Sequence, residues 1–418
     1  MNPVPSLGSP ADAGVADIAS APAASPAPAV PRALALSVLV PGALVAAIAI
    51  LASRVIHDTA VLRVLDNVHW TVGYATGAVL AWLGVHYAPE DVRASRRWFA
   101  WGLTAYAAGQ VFWDAQVAFG WNPFPGPSDL LFLMVGPFCA AGCLVSLRRH
   151  AAQAEQKVAA LDVGVLSVAG LVVVLSLYLP FRGHNSVLQM AVLAAYPLGM
   201  ISAACIAIVM IPTLRLRPHA DWLVFLAGLV LNSGLWMEWN ALTLSGGLRD
   251  GTLYNATFSV IAIAMGIGAM RWRPVLSSNV RWERRAEGAL RLMPLLVVVG
   301  TAGAVFAAFT LPNVPITVRG STGIGALVVV TLALLRQNVL LHERDRMLAA
   351  ELRFRALFNC GQDAIMFLGE ERFLDCNPSA ERMFGLSREE LCKRSPVDVS
   401  PQLQHDGRPS AVAAAERI

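Results

Sequence analysis

Ten blocks of about twenty apolar residues, separated by short polar or proline-bearing linkers, dominate the chain from residue 33 onward. A helix rises about 1.5 Å per residue, so such a block matches the ~30 Å hydrocarbon core of a bilayer. The blocks lie at 33–53, 68–88, 98–119, 128–147, 158–180, 187–211, 222–245, 253–271, 288–311 and 318–340. In lipid each backbone polar group must be satisfied within its own segment, which makes a helical bundle the expected fold. Composition points the same way, with 56% hydrophobic and 14% charged residues and a mean hydropathy of +0.56. Soluble domains carry about 25% charged residues, so a soluble globular enzyme is excluded. The 32 Lys+Arg against 28 Asp+Glu form no long basic run, and no nucleic-acid partner is expected.

The organisation reads as four parts. Residues 1–32 are rich in Ala, Pro and Ser, lack Lys and Arg before Arg32, and are expected to be a disordered tail rather than a signal peptide. Residues 33–340 form the transmembrane region, 341–353 a signalling helix, and 354–418 a small polar module. Basic residues alternate between linkers. Arg93, Arg96, Arg97, Arg148, Arg149, Lys157, Arg215, Arg217, Arg271, Arg273, Arg281, Arg284 and Arg285 fall on one side, and Arg54, Arg63, Arg182, Arg249 and Arg319 on the other. Cytoplasmic linkers are the basic ones, so both termini are placed in the cytoplasm of a multi-pass protein, here the inner membrane of a bacterium. The six cysteines read as reduced, small apolar side chains. Cys139 and Cys143 share a helix face but have no His or carboxylate neighbour on it, and no metal is expected.

Ionisable groups inside apolar spans are costly and draw attention to function. Asp114, beside Trp113 and near Gln110, and Glu238, between Trp236 and Trp239 and beside Asn240, sit at matching depth in outward-running spans. Asp129 opens the fourth span from the same side, His69 and Trp70 the second, and Asn255 the eighth, whereas Asp162 is an inner exception. One reading is a ligand pocket in the outer half, built from Asp114, Glu238, Asp129, Trp113, Trp236 and Trp239, with acids for polar recognition and indole faces for stacking or cation–π contact. The other is an aromatic belt with polar helix-to-helix contacts.

No Gly or Pro interrupts residues 326–358, so the tenth helix is expected to leave the bilayer unbroken. Leu334, Asn338, Leu341, Asp345, Leu348 and Leu352 follow a 4-3-4-3-4 spacing, which fits a short parallel dimeric coiled coil with polar Asn338 and Asp345 at a positions. An ordinary amphipathic connector fits the same residues. Asn338, Leu341, Asp345 and Leu348 are the expected signal-transmission positions, and the second copy of the chain the expected partner.

Beyond it, Ala364–Leu368 and Arg372–Cys376 flank a turn at Gly369-Glu370-Glu371 and read as a β-hairpin. Asn377-Pro378 starts a helix that stops at Gly385, and Ser387-Arg388-Glu389-Glu390 is a capping box. Phe354-Arg355-Ala356-Leu357-Phe358, Asp363-Ala364-Ile365, Asn377-Pro378-Ser379-Ala380, Phe384-Gly385 and Leu391 together resemble the first half of a PAS domain. The resemblance implies an α+β module whose three closing strands are missing, so that either a product truncated relative to its relatives or completion by another chain is expected. It also implies no bound cofactor, because family haem and flavin sites lie mostly in the later elements and the Asn-Cys-Arg-Phe signature is absent.

Pro123, Pro125, Pro127, Ser128, Asp129 and Tyr196-Pro197 resemble the multi-span sensor found at the N-terminus of bacterial diguanylate cyclases and phosphodiesterases, with Gly136 where that pattern has Tyr. No GGDEF or EAL string, P-loop or His-Glu-x-x-His site is present, and His342-Glu343-Arg344 lacks the proline of a histidine-kinase phosphoacceptor. The expected fold is therefore an all-α polytopic membrane bundle of about ten transmembrane helices with a C-terminal, incomplete α+β PAS module. The expected function is signal reception without catalysis, feeding a cyclic-di-GMP or histidine-kinase type system through a separate output protein. The alternative is a transporter or permease with a regulatory C-terminal segment.

Overall fold

The computed structural model describes residues 30–415 apart from 218, 276, 278, 370, 371 and 406. The expected tail lies, up to residue 29, outside the described residues, as do Glu370 and Glu371 of the expected turn. The chain divides into two compact units, Met1–Arg336 and Gln337–Ile418.

Each of the ten apolar blocks falls on its own helix: α1 (Arg32–Ala52), α2 (Thr59–His86), α3 (Glu90–Ala118), α4 (Pro127–His150), α5 (Gln153–Tyr178), α6 (Val187–Thr213), α7 (Ala220–Ser245), α8 (Leu253–Arg271), α9 (Val280–Thr310) and α10 (Ile316–Cys360). Among the described residues eight of these are long and apolar enough to cross a membrane; α2 and α3 are as long but too polar to meet that measure. Helix α2 begins nine residues before the apolar block, because Asp58 accepts from the amides of Ala60 (2.9 Å) and Val61 (3.0 Å) and satisfies the first turn. His69 is accordingly inside the helix rather than at its start. Ser186 and Gln189 cap α6 reciprocally, and Gly246, at φ 72°, ends α7 in the left-handed conformation.

Six of the helices close into a ring. Going round, α2 packs on α3, α3 on α4, α4 on α6, α6 on α7, α7 on α8, and α8 back on α2. The closest approaches use missing side chains. A Cβ at Gly77 would stand 2.5 Å from the Ala262 carbonyl oxygen, and one at Gly136 only 2.3 Å from the Gly199 carbonyl carbon, so the α2–α8 and α4–α6 backbones touch. That contact accounts for Gly136 standing where the sensor pattern has tyrosine. The buried aromatic core, including Phe99, Tyr106, Phe225 and Trp272, fills the ring.

Helices α1, α5, α9 and α10 lie outside the ring and expose apolar side chains: Leu44, Ile48 and Leu51 on α1, Leu295, Leu296 and Phe306 on α9, Ile324 and Leu327 on α10. Water would penalise such surface, and lipid accepts it. Helix α10 has 45 residues, a length of about 68 Å at ~1.5 Å per residue. Its first 21 residues, through Arg336, cover about 31 Å, the thickness of the hydrocarbon core. There Arg336 Nε meets Asp162 Oδ1 of α5 at 2.5 Å with both side chains buried, and about three turns earlier on α10 Gly325 lies against Val172. The unit boundary falls at the next residue.

In the second unit, β1 (Met366–Leu368) and β2 (Phe373–Cys376) pair antiparallel, Met366 opposite Cys376 and Phe367 opposite Asp375. They are followed by α11 (Pro378–Phe384), α12 (Arg388–Leu391) and α13 (Ser410–Ala415). Cys376, Ala380 and Leu391 form the buried centre, with Met366, Phe384 and Val399 packed on it.

Candidate functional site

Within the ring lies a half-open cavity of about 290 Å³, and every helix of the ring contributes to its wall. Helical spacing decides which side chains reach it. On α7 the inward set is Trp236, Trp239, Asn240, Thr243 and Leu244, the i, i+3, i+4, i+7, i+8 stripe of one face. Helix α2 supplies Trp70 and Tyr74, α3 Gln110 and Trp113, α4 Asp129 and Phe132, α6 Leu193 and Tyr196, and α8 Phe258, while Phe124, Asn185 and Leu248 come from linkers. No Lys, Arg or His stands among these described lining residues.

The rings are held by one another and by hydrogen bonds. Tyr196 stacks on Trp236 at 4.3 Å between ring centres, and Trp70 meets Trp239 edge-on at 5.5 Å. Trp236 Nε1 donates to the Tyr106 hydroxyl (3.0 Å), which itself donates to Asn232 Oδ1 (3.0 Å), fixing α3 to α7 across the ring. Trp70 Nε1 donates to the Asn255 carbonyl (2.8 Å). Asp129 accepts from the Tyr196 hydroxyl at Oδ1 and from the Gly126 amide at Oδ2 (2.6 Å), so the two residues that carry the sensor resemblance in α4 and α6 meet at the cavity wall.

Of the six expected ligand-binding residues, Trp113, Trp236, Trp239 and Asp129 line the cavity. Asp114 and Glu238 are not among its lining residues, which departs from the expectation that these two acids share one site. The reason is rotational. At about 100° per residue, Glu238 is turned some 200° away from the inward Trp236, and it is exposed. Asp114 is different: it follows the lining Gln110 by four residues on the same helix face, but its carboxylate accepts from Thr71 Oγ1 (2.5 Å) and Gln110 Nε2 (2.8 Å), one hydrogen bond behind the wall. Tyr74, Phe132, Leu193 and Phe258 were not legible as wall residues, although the i, i+4 pair Trp70 and Tyr74 carries the signal of an inward face.

Behind Trp70 a buried polar cluster joins α2 to α8. Asp66 Oδ2 accepts from Asn255 Nδ2 (2.7 Å) and the Gly251 amide (2.8 Å), and Oδ1 lies 3.1 Å from His69 Nε2. Ser259 Oγ donates to the His69 carbonyl and lies 2.8 Å from Nδ1, so its single proton is already committed and Nδ1 is the donor between them. Among the described residues no group of three His, Cys, Asp or Glu side chains is placed to hold a metal ion.

The four signal-transmission positions, Asn338, Leu341, Asp345 and Leu348, lie on α10 within the second unit and all four are exposed. Farther along, Phe354, Phe358 and Phe367 form a ladder with ring centres 5.5–5.9 Å apart. Asn377, which the sequence marks as a helix cap, does more. Its Oδ1 accepts from Ala380 N (2.9 Å) and Ile365 N (3.0 Å), and its Nδ2 donates to the carbonyls of Phe358 (3.0 Å) and Asp363 (2.9 Å). All four hydrogen-bonding capacities of a fully buried amide are thus used to join α10, β1 and α11. Ser387 holds the Glu390 carboxyl below its ordinary range, as the Ser395 amide and hydroxyl do for Asp398, while Asp375 raises the Arg388 guanidinium further.

No curated protein and no solved structure matches the chain. A match to the PAS domain family covers residues 352–415, which takes in the phenylalanine ladder, the β-hairpin, the Asn377 hub and the three short helices that follow. Residues 352–415 of this chain are a PAS domain.

Proposed function

We propose that the chain is a membrane-embedded receptor in which occupancy of the six-helix cavity is passed through α10 to the PAS domain. The observation that carries this reading is the aromatic-walled cavity in a chain whose last long helix runs without a break from the bundle's outer layer to residue 360. PAS domains are sensory and signalling modules, and the eight apolar helices fit a membrane protein. In this reading all ten helices of the first unit cross the bilayer. Helices α2 and α3 tolerate their polar residues because they face the ring interior and not lipid. Both termini are cytoplasmic in a bacterial inner membrane, the chain performs no catalysis, α10 pairs with a second copy, and a separate output protein of the cyclic-di-GMP or histidine-kinase type reads the result.

The test uses the full chain in native membranes, with exposed Cys360 and partly buried Cys392 replaced by serine and a cysteine introduced at Leu348. Disulfide cross-linking between copies is expected, and Trp113→Ala or Trp239→Ala in the cavity wall should change its rate several-fold. An unchanged rate in correctly inserted protein sinks the coupling. Net solute flux through proteoliposomes would replace the receptor reading by that of a transporter. Reporter fusions at Gly247 and Ser277 should read extracytoplasmic and cytoplasmic respectively, and opposite labelling would overturn the orientation.

A further inference from the structure

We infer that the ring cavity is a site for a small organic cation, of the quaternary or tertiary ammonium class. The inference rests on the receptor reading for its role and on the wall alone for its chemistry. Three properties of the wall converge. First, indole and phenol rings dominate it, among them Trp70, Trp113, Tyr196, Trp236 and Trp239, and an aromatic face carries the negative end of a quadrupole that attracts cations most strongly where water is excluded. A purely apolar ligand would be served as well by Leu and Ile; five such rings from four helices make the surface specifically electron-rich.

Second, the wall holds one carboxylate and no basic side chain. Asp129 accepts through both oxygens, as a carboxylate does, and no Lys, Arg or His pairs with it among the described residues. The positive end of α4, roughly half a charge, offsets only part of it. Third, the amide of Gln110 is oriented by Asp114. A carboxylate only accepts, so the Gln110 nitrogen must turn toward it (2.8 Å), and its carbonyl oxygen accepts no hydrogen bond within the described residues. A second acid thus acts from behind the wall, one hydrogen bond from the lining residue Gln110.

Size narrows the class. About 290 Å³ is room for roughly ten waters at ~30 Å³ each, enough for a trimethylammonium head with a short polar or apolar tail.

The full chain in nanodiscs is titrated with choline chloride and, separately, with 3,3-dimethylbutan-1-ol, in which carbon replaces nitrogen and the shape is kept, while tryptophan fluorescence is followed. Choline is expected to saturate at a concentration at least tenfold lower than the alcohol. Asp129→Asn should cost choline tenfold and leave the alcohol unchanged, with size-exclusion elution confirming a folded variant. The comparison on the unaltered chain does not depend on that variant. Equal affinities, preference for the alcohol, or binding of neither by folded protein overturns the inference. The two proposals fail separately. Choline saturation without any change in cross-linking at position 348 removes the receptor role and keeps the cation site. Alcohol preference with a cross-linking response removes the cation and keeps the receptor.

Discussion

The PAS domain makes the sharpest prediction, at Asn377. If this residue were only the cap of α11, Asp would replace it with little loss, since Asp and Asn cap helices about equally well. The structure assigns it four hydrogen bonds, two accepted and two donated, all at 2.9–3.0 Å, from a side chain that is itself fully buried. Each is worth about 1 kcal/mol net, so Asn377→Ala removes about 4 kcal/mol. At 1.4 kcal/mol per tenfold that is roughly a thousandfold in the opening equilibrium of the domain. Asn377→Asp keeps both acceptor contacts but sets a carboxylate oxygen against the carbonyls of Phe358 and Asp363, and is expected to be at least as damaging as alanine. Amide hydrogen exchange on the full chain in nanodiscs reads this directly. Protection of Ile365 and Ala380 should fall by about three decades in both variants, while the amides of α6 and α8 stay unchanged. An aspartate variant within tenfold of the parent would refute the hub and leave only the cap.

Three further outcomes are expected. Asp162→Leu takes the carboxylate away from the buried Arg336 guanidinium and should destabilise the α5–α10 packing by about 3–5 kcal/mol, whereas Asp162→Leu with Arg336→Met should recover most of it; a double variant no better than the single one, by denaturation in micelles, would show the pair is not the cause. Replacing both Asn338 and Asp345 with Leu should raise cross-linking at position 348 and lock output, and Leu341→Pro should break α10 at about 3 kcal/mol or more and disconnect the PAS domain; normal output from the proline variant removes the helix as the route. Glu390 and Asp398 are held below their ordinary ranges when folded, so their contribution is complete above about pH 4.5 and is lost as pH falls through the depressed folded values. Protection of α12 and the 395–398 turn should therefore be flat from pH 7 to about 5 and drop only below about 4, and a loss already at pH 6 would point to another group.

The helices were legible because a bilayer demands about twenty apolar residues in a row, a pattern no short-range ambiguity can hide. Depth was legible too: Asp129, Trp113, Trp236 and Trp239 were expected at one level and line one cavity. Rotation about each helix axis was not. Adjacent residues point 100° apart, and without knowing which faces the neighbours cover, Glu238 looked as close to Trp236 as Asn240 does. Long-range pairing was equally hidden. Asp162 was conspicuous, but nothing local indicated that its partner Arg336 lies 174 residues on. At Asn377 the local cue was real and understated the residue, because the cap uses one of its four hydrogen bonds and the other three reach β1, α10 and the linker before β1.

The glycines of the ring have a mechanical consequence. Backbone meets backbone at α2–α8, where Gly77 faces Ala262, at α7–α8, where Gly268 faces Phe225, and at α4–α6, where Gly136 faces Gly199. Those seams have no compressible side chains between them and behave as welds. The remaining three joints, α2–α3, α3–α4 and α6–α7, are made by interleaved side chains such as the Tyr74–Tyr106 and Tyr196–Trp236 stacks, which shift by rotamer change. The ring is thus two rigid arcs, α7–α8–α2 and α4–α6, coupled by α3 on one side and by a single aromatic joint on the other. Tyr196, bonded to Asp129 and stacked on Trp236, belongs to the α6–α7 joint and to the cavity wall at once.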